Sequence, residues 1–156
     1  MKLSLEWSRP IKLRDGTAEN LIYTLDYERL PAGPGIYVFA RGWGTKTFEV
    51  LYVGRTNNIR SRVRNQLNNH KLMRHLERAK TGTRVIALAK VRTKPGQRLN
   101  KVLALVERAI IRHFLLEGHD LVNKQGSRIR RHEITSHKRP KWFIPSSMYV
   151  EKVRRG

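Results

Sequence analysis

Residues 35–62, GIYVFARGWGTKTFEVLYVGRTNNIRSR, are the stretch from which the rest of the chain can be read. They contain two tripeptides, Gly35-Ile36-Tyr37 and Tyr52-Val53-Gly54, each in a short apolar, β-prone run. The runs read as strands over 36–40 and 48–53, with a Gly-rich turn, Arg41-Gly42-Trp43-Gly44-Thr45, between them. So short a link makes an antiparallel hairpin, which brings Tyr37 and Tyr52 near each other on one sheet face. Trp43, at the turn, is read as a packing aromatic rather than a base-stacking one. Gly54 allows a close approach that a side chain would block.

Working outward, Pro31-Ala32-Gly33-Pro34 is a rigid break before the first strand. Thr56 or Asn57 is a helix cap in the expected place. Ile59, Val63 and Leu67 then recur at helical spacing, with Arg60, Arg62 and Arg64 fanning out from that stripe. A second helix is expected with Leu72, Leu76 and Ala79 inside and Lys71, Arg74, Arg78 and Lys80 outside, stopped by Thr81-Gly82. Residues 84–91 read as a third strand, and Pro95-Gly96 as a turn. A helix over 97–116 carries the apolar stripe Leu99, Val102, Leu103, Val106, Ile110 and Phe114, and Gly118 ends it. The expected fold is a small α+β domain over residues 31–124, a central three-stranded, mostly antiparallel sheet flanked by helices. Residues 1–30 form a leader with short strands that packs on the domain, and residues 125–156 a basic, aromatic extension.

Charge narrows the partners. The chain of 156 residues has 33 Lys plus Arg against 12 Asp plus Glu, a net charge of +21. Nucleic acid is the first partner such a balance implies, because each neutralised phosphate releases counterions. Between Arg55 and Lys80 only Glu77 is acidic, so this segment reads as a surface that meets phosphates. No apolar run is long enough for a membrane span, and no secretory leader is read at the start. The lack of cysteine excludes disulfides and thiolate metal sites and fits a reducing cytoplasm.

Glu107 stands out on the long helix. Leu103 lies four residues before it and Ile111 four after, so its carboxylate leans toward the apolar side. An unpaired charge there costs several kcal/mol, and something cationic is expected to meet it. An arginine and a metal ion both satisfy that requirement.

The two tripeptides, Arg62 ten residues after Tyr52, and Glu107 and Asn123 farther on resemble the GIY-YIG nuclease family in identity and order. The first motif matches to the letter; the second has Val53 in place of Ile. The resemblance implies a divalent-metal-dependent endonuclease acting on DNA, with Tyr37, Tyr52, Arg62, Glu107 and Asn123 as its catalytic set. Glu107 would be the sole protein ligand to Mg²⁺ or Mn²⁺. Tyr37 would take the proton from water, although either phenol suits that task. Tyr52 would orient a phosphate oxygen or the water, and Arg62 would grip the scissile phosphate. Nearby cations, Arg62 and Arg55 among them, would favour the phenolate. The chain departs from the family pattern at Gln66, where several relatives have Tyr or His, and in a longer spacing from Glu107 to Asn123.

The expected DNA contacts are Arg55, Arg60, Arg64, Lys71, Arg74, Arg78, Lys141 and Trp142. Restriction, repair and mobile-element nucleases all fit this reading. The competing reading is a non-catalytic nucleic-acid-binding protein that keeps the nuclease fold.

Overall fold

A strand with no polar face has to be covered on both sides, and β5 (Gly35–Trp43) is such a strand, buried from residue 35 to 40. The computed structural model describes residues 3–44, 46–79, 81–122, 129–138, 140 and 145–153. Strand β5 lies between β6 (Thr47–Thr56) and β7 (Thr83–Val91), antiparallel to both. β1 (Leu5–Trp7) and β2 (Ile11–Lys12) pair in succession with the outer edge of β7. The N-terminal segment thus extends the sheet. It also holds β4 (Tyr23–Thr24), paired with β3 (Arg14–Asp15) in a separate small sheet.

Alternation along β5 divides the core into two layers. Tyr37 and Phe39 share one cluster with Ile59, Val63 and Leu67 of α1 (Ile59–Leu67) and with Leu72, Met73 and Leu76 of α2 (His70–Arg78). Ile36, Val38 and Ala40 share the other with Val102, Leu103, Val106 and Ile111 of α3 (Leu99–Leu116). The protein is therefore mixed α+β, an antiparallel sheet with α1 and α2 on one face and α3 on the other. β8 (Ile129–Thr135) and β9 (Ser147–Val153) form their own antiparallel pair.

Several boundaries move for local reasons. Arg41, Gly42 and Trp43, expected in the turn, belong to β5, opposite Glu49, Phe48 and Thr47. Arg41 Nε donates to Glu49 across the strands at 2.6 Å, and Trp43 Nε1 donates to Thr81 Oγ1 at 3.0 Å. These ties keep the strands paired past the glycine. The cap of α1 is Asn58, not Thr56 or Asn57; its side chain accepts from the Ser61 N–H. Helix α3 starts at Leu99 because Gln97 is held in the preceding turn, where its side-chain Oε1 accepts from the Lys94 N–H. Ala79, expected on the inner face of α2, is its C-cap, and Met73 takes the buried place instead. Gly118, at φ 90°, turns the chain out of α3 in the left-handed region that glycine favours.

Candidate active site

The register of the hairpin places Tyr37 opposite Gly54 and Tyr52 opposite Phe39. Tyr37 and Tyr52 are thus diagonal neighbours on one face, with ring centroids 6.0 Å apart and planes at 22°. Gly54 is what allows this. A Cβ there would fall inside the Tyr37 ring, closer than real Cβ contacts come. The two tripeptides therefore depend on each other sterically: the glycine of the second makes room for the tyrosine of the first.

Helix α1 lays two polar side chains over the phenols. Arg62 and Gln66, four residues apart, share its face. Arg62 Nε donates to Tyr37 Oη at 3.2 Å, and Gln66 Nε2 donates to Tyr37 Oη at 2.7 Å and to Tyr52 Oη at 3.3 Å. The Gln66 carbonyl in turn accepts from Asn69 Nδ2 at 3.3 Å. Tyr37 and Gln66 are buried, whereas Tyr52 is partly open. Burial, followed by the charge of Tyr37 and the bond to it, pushes Tyr52 up to about 12; Gln66 and Arg62 pull the other way. At Tyr52 burial thus outweighs the pull of the neighbouring guanidinium. The bond from Arg62 to Tyr37 is the first of the effects that raise Arg62 further and keep it protonated.

The facing side comes from α3. Asn100, Leu103, Glu107 and Ile111 recur at helical spacing and line an open cleft of about 500 Å³ with Tyr52, Arg55 and Arg62. Glu107 does meet a cation: Arg55 Nε lies 2.9 Å from Glu107 Oε2. Arg55, expected to touch phosphate, is the partner of the expected metal ligand. Glu107 and Asn100 put a carboxylate and a carboxamide on one stripe of the cleft, hard oxygen donors of the kind Mg²⁺ takes when it keeps most of its water shell. Among the described residues there is no group of three or more His, Asp or Glu able to hold a metal ion. An ion at Glu107 would need oxygens from substrate and water.

The other expected DNA contacts lie apart from one another. Arg60 Nη2 donates to the Leu30 carbonyl at 3.0 Å, and the Arg64 guanidinium lies 4.7 Å from the centroid of the Tyr27 ring. Both hold the segment before β5. Lys71, Arg74 and Arg78 line a separate shallow groove with His70, His75 and Val122. The Val122 N–H bonds the Leu51 carbonyl, next to Tyr52, so this groove adjoins the cleft along β6. Trp43 packs against Gly82 and Arg41. Asn123, Lys141 and Trp142 lie outside the described residues. Sequence reasoning missed Gln66 as the bridge between the phenols. Its spacing from Arg62 was the available signal, obscured because a carboxamide does no proton chemistry. No helix among the described residues is long and apolar enough to cross a membrane. No known family, curated protein or solved structure matches the chain.

Proposed function

We propose that the protein is a divalent-metal-dependent endonuclease of the GIY-YIG type that hydrolyses DNA phosphodiester bonds. The observation that carries this reading is the convergence on one cleft of Tyr52, Arg62 and Glu107, with Tyr37 bonded directly behind them, in a chain of net charge +21. In the proposed reaction water adds to phosphorus, the P–O3′ bond breaks, the departing 3′ oxygen takes a proton from solvent water, and a 5′-phosphate and a 3′-hydroxyl remain. Tyr37 is the proposed base, its oxygen accepting from Arg62 and Gln66. Tyr37 itself is fully buried, so Tyr52 at the cleft wall passes the proton inward: it takes one from water as its own moves to Tyr37. The remaining donors of Arg62 grip the phosphate and stabilise the charge that develops on it. Glu107, with oxygens from substrate and water, would hold Mg²⁺ or Mn²⁺, which supplies Lewis-acid stabilisation of the leaving oxygen when bound.

The Arg55–Glu107 pair favours the second reading, a nucleic-acid binder without catalysis, because it satisfies the carboxylate with no metal. Supercoiled plasmid with Mg²⁺ separates the two. The nuclease reading expects nicking that falls by about 10²-fold or more in Arg62→Lys and Glu107→Gln, with DNA binding retained. Normal cutting by Glu107→Gln, or none by the native protein in Mg²⁺ or Mn²⁺, overturns it.

A further inference from the structure

We propose that the cleft is a site for a divalent cation and a phosphodiester together, and that Arg55 enforces the pairing. This rests on the reading of Glu107 as a metal ligand and adds a rule for what can bind there. In the free protein one oxygen of Glu107 is taken by the Arg55 guanidinium. A cation arriving alone has to displace that guanidinium and then sit beside its positive charge. A phosphodiester arriving alone competes with Glu107 for the same guanidinium. When both arrive, each removes the obstacle to the other. Arg55 turns its N–H donors to the phosphate, Glu107 turns its carboxylate to the cation, and cation and phosphate neutralise each other.

The exchange is feasible because the pair is lightly held. It is a single Nε–Oε2 contact, and the Arg55 side chain is 42% exposed and that of Glu107 24%. Exposed pairs of this kind contribute little and are easily replaced by a better partner. Arg62, the other guanidinium of the cleft, is engaged with Tyr37 and leaves Glu107 to Arg55. Linkage makes the effect reciprocal: the factor by which a phosphodiester raises cation affinity equals the factor by which the cation raises phosphodiester affinity.

The experiment titrates Mn²⁺ into the whole protein, following the free-ion signal by electron paramagnetic resonance, with and without dimethyl phosphate. Dimethyl phosphate is expected to raise the Mn²⁺ affinity of the native protein roughly fivefold. Arg55→Met, and Arg55→Gln in parallel, should bind Mn²⁺ about threefold tighter than the native protein without the anion. In both variants dimethyl phosphate should then add little. Glu107→Gln should lose the site in either background. Equal Mn²⁺ affinities in native protein and Arg55 variants, an undiminished dimethyl phosphate effect in those variants, or Mn²⁺ retained by Glu107→Gln overturns the proposal. Plasmid left intact beside the expected Mn²⁺ pattern would defeat the nuclease reading alone. Plasmid cut normally beside equal affinities would defeat only the co-binding rule.

Discussion

On one side of the cleft, side chains from β5, β6 and α1 lock one another; on the other, a carboxylate from α3 and a guanidinium from β6 hold each other by one contact. Tyr37, Tyr52, Arg62 and Gln66 form a hydrogen-bonded cluster with Tyr37 and Gln66 at the buried end. Glu107 and Arg55 stand nearer to solvent. The first side is preorganised, because moving any one of its groups breaks bonds to the others. The second is a single, partly exposed contact, the kind of ion pair that contributes little. A cleft with one fixed side and one yielding side can orient a phosphate while admitting what arrives with it.

The largest test breaks the fixed side from beneath. Gly54→Ala adds a Cβ where the Tyr37 ring lies, and the ring cannot shift without leaving Arg62 and Gln66. A loss of roughly 3 kcal/mol is expected, the upper end for overpacking a core, with the bonds to Tyr37 lost as well. Urea unfolding checks it, with Gly42→Ala as the control, since a Cβ at residue 42 meets nothing nearer than 3.6 Å. An equal, small effect at both positions would mean that the tyrosine ring is not held where it lies.

Next in size is Gln66→Leu. The carboxamide is the common donor to both phenols, and leucine leaves the buried Tyr37 oxygen and the half-buried Tyr52 oxygen short of a partner. The expected cost is about 1–2 kcal/mol in urea unfolding. Because Gln66 pulls Tyr52 down, its removal should also move the Tyr52 titration, followed by phenolate absorbance, further up. A Tyr52 titration that stays in place would remove Gln66 from the cluster.

These two residues also show what was legible in the sequence. Gly54 could be read because a tripeptide with a glycine at a fixed place in a strand already calls for close approach. The helices could be read from Ile59, Val63 and Leu67 and from the long stripe of α3, since periodicity is a property of the chain itself. Gln66 had the right spacing but was judged by its chemistry rather than by what it could bridge. The extension of β5 to Trp43 was hidden because the ties to Glu49 and Thr81 are made across strands. Arg55 and Glu107 were each singled out, but residues 52 positions apart in sequence reveal nothing of their pairing until the sheet and α3 are packed.

A smaller effect is expected where the yielding side is cut. Arg55→Met removes an ion pair that is largely exposed on the arginine side, so its cost in unfolding free energy should stay at or below about 1 kcal/mol. The contrast with Gly54→Ala and Gln66→Leu is the point of the measurement. A loss from Arg55→Met as large as theirs would make the pair a structural anchor and erase the difference between the two sides.

The smallest effect sharpens the comparison through pH. The segment after α3 bonds to β6 through the Val122 N–H to the Leu51 carbonyl, and through the Val50 N–H to His119 Nδ1 at 2.8 Å. Only the second is titratable, because a protonated Nδ1 cannot accept. Burial lowers His119 below its usual value, His113 adds to this, and Glu49 and Glu117 oppose it. The folded state therefore takes up this proton less readily than the unfolded chain, where histidine titrates near about 6.5. The stabilisation is complete above that value and fades as pH falls through it toward the lower folded value. Asparagine offers an oxygen acceptor that does not titrate in this range. The stability advantage of the native protein over His119→Asn should thus shrink when urea unfolding is compared at about pH 7.5 and about pH 5. Acid should therefore loosen the hold of the segment after α3 on β6. A difference between the two proteins that grows toward acid would reverse the sign and place the proton on His119 in the folded state.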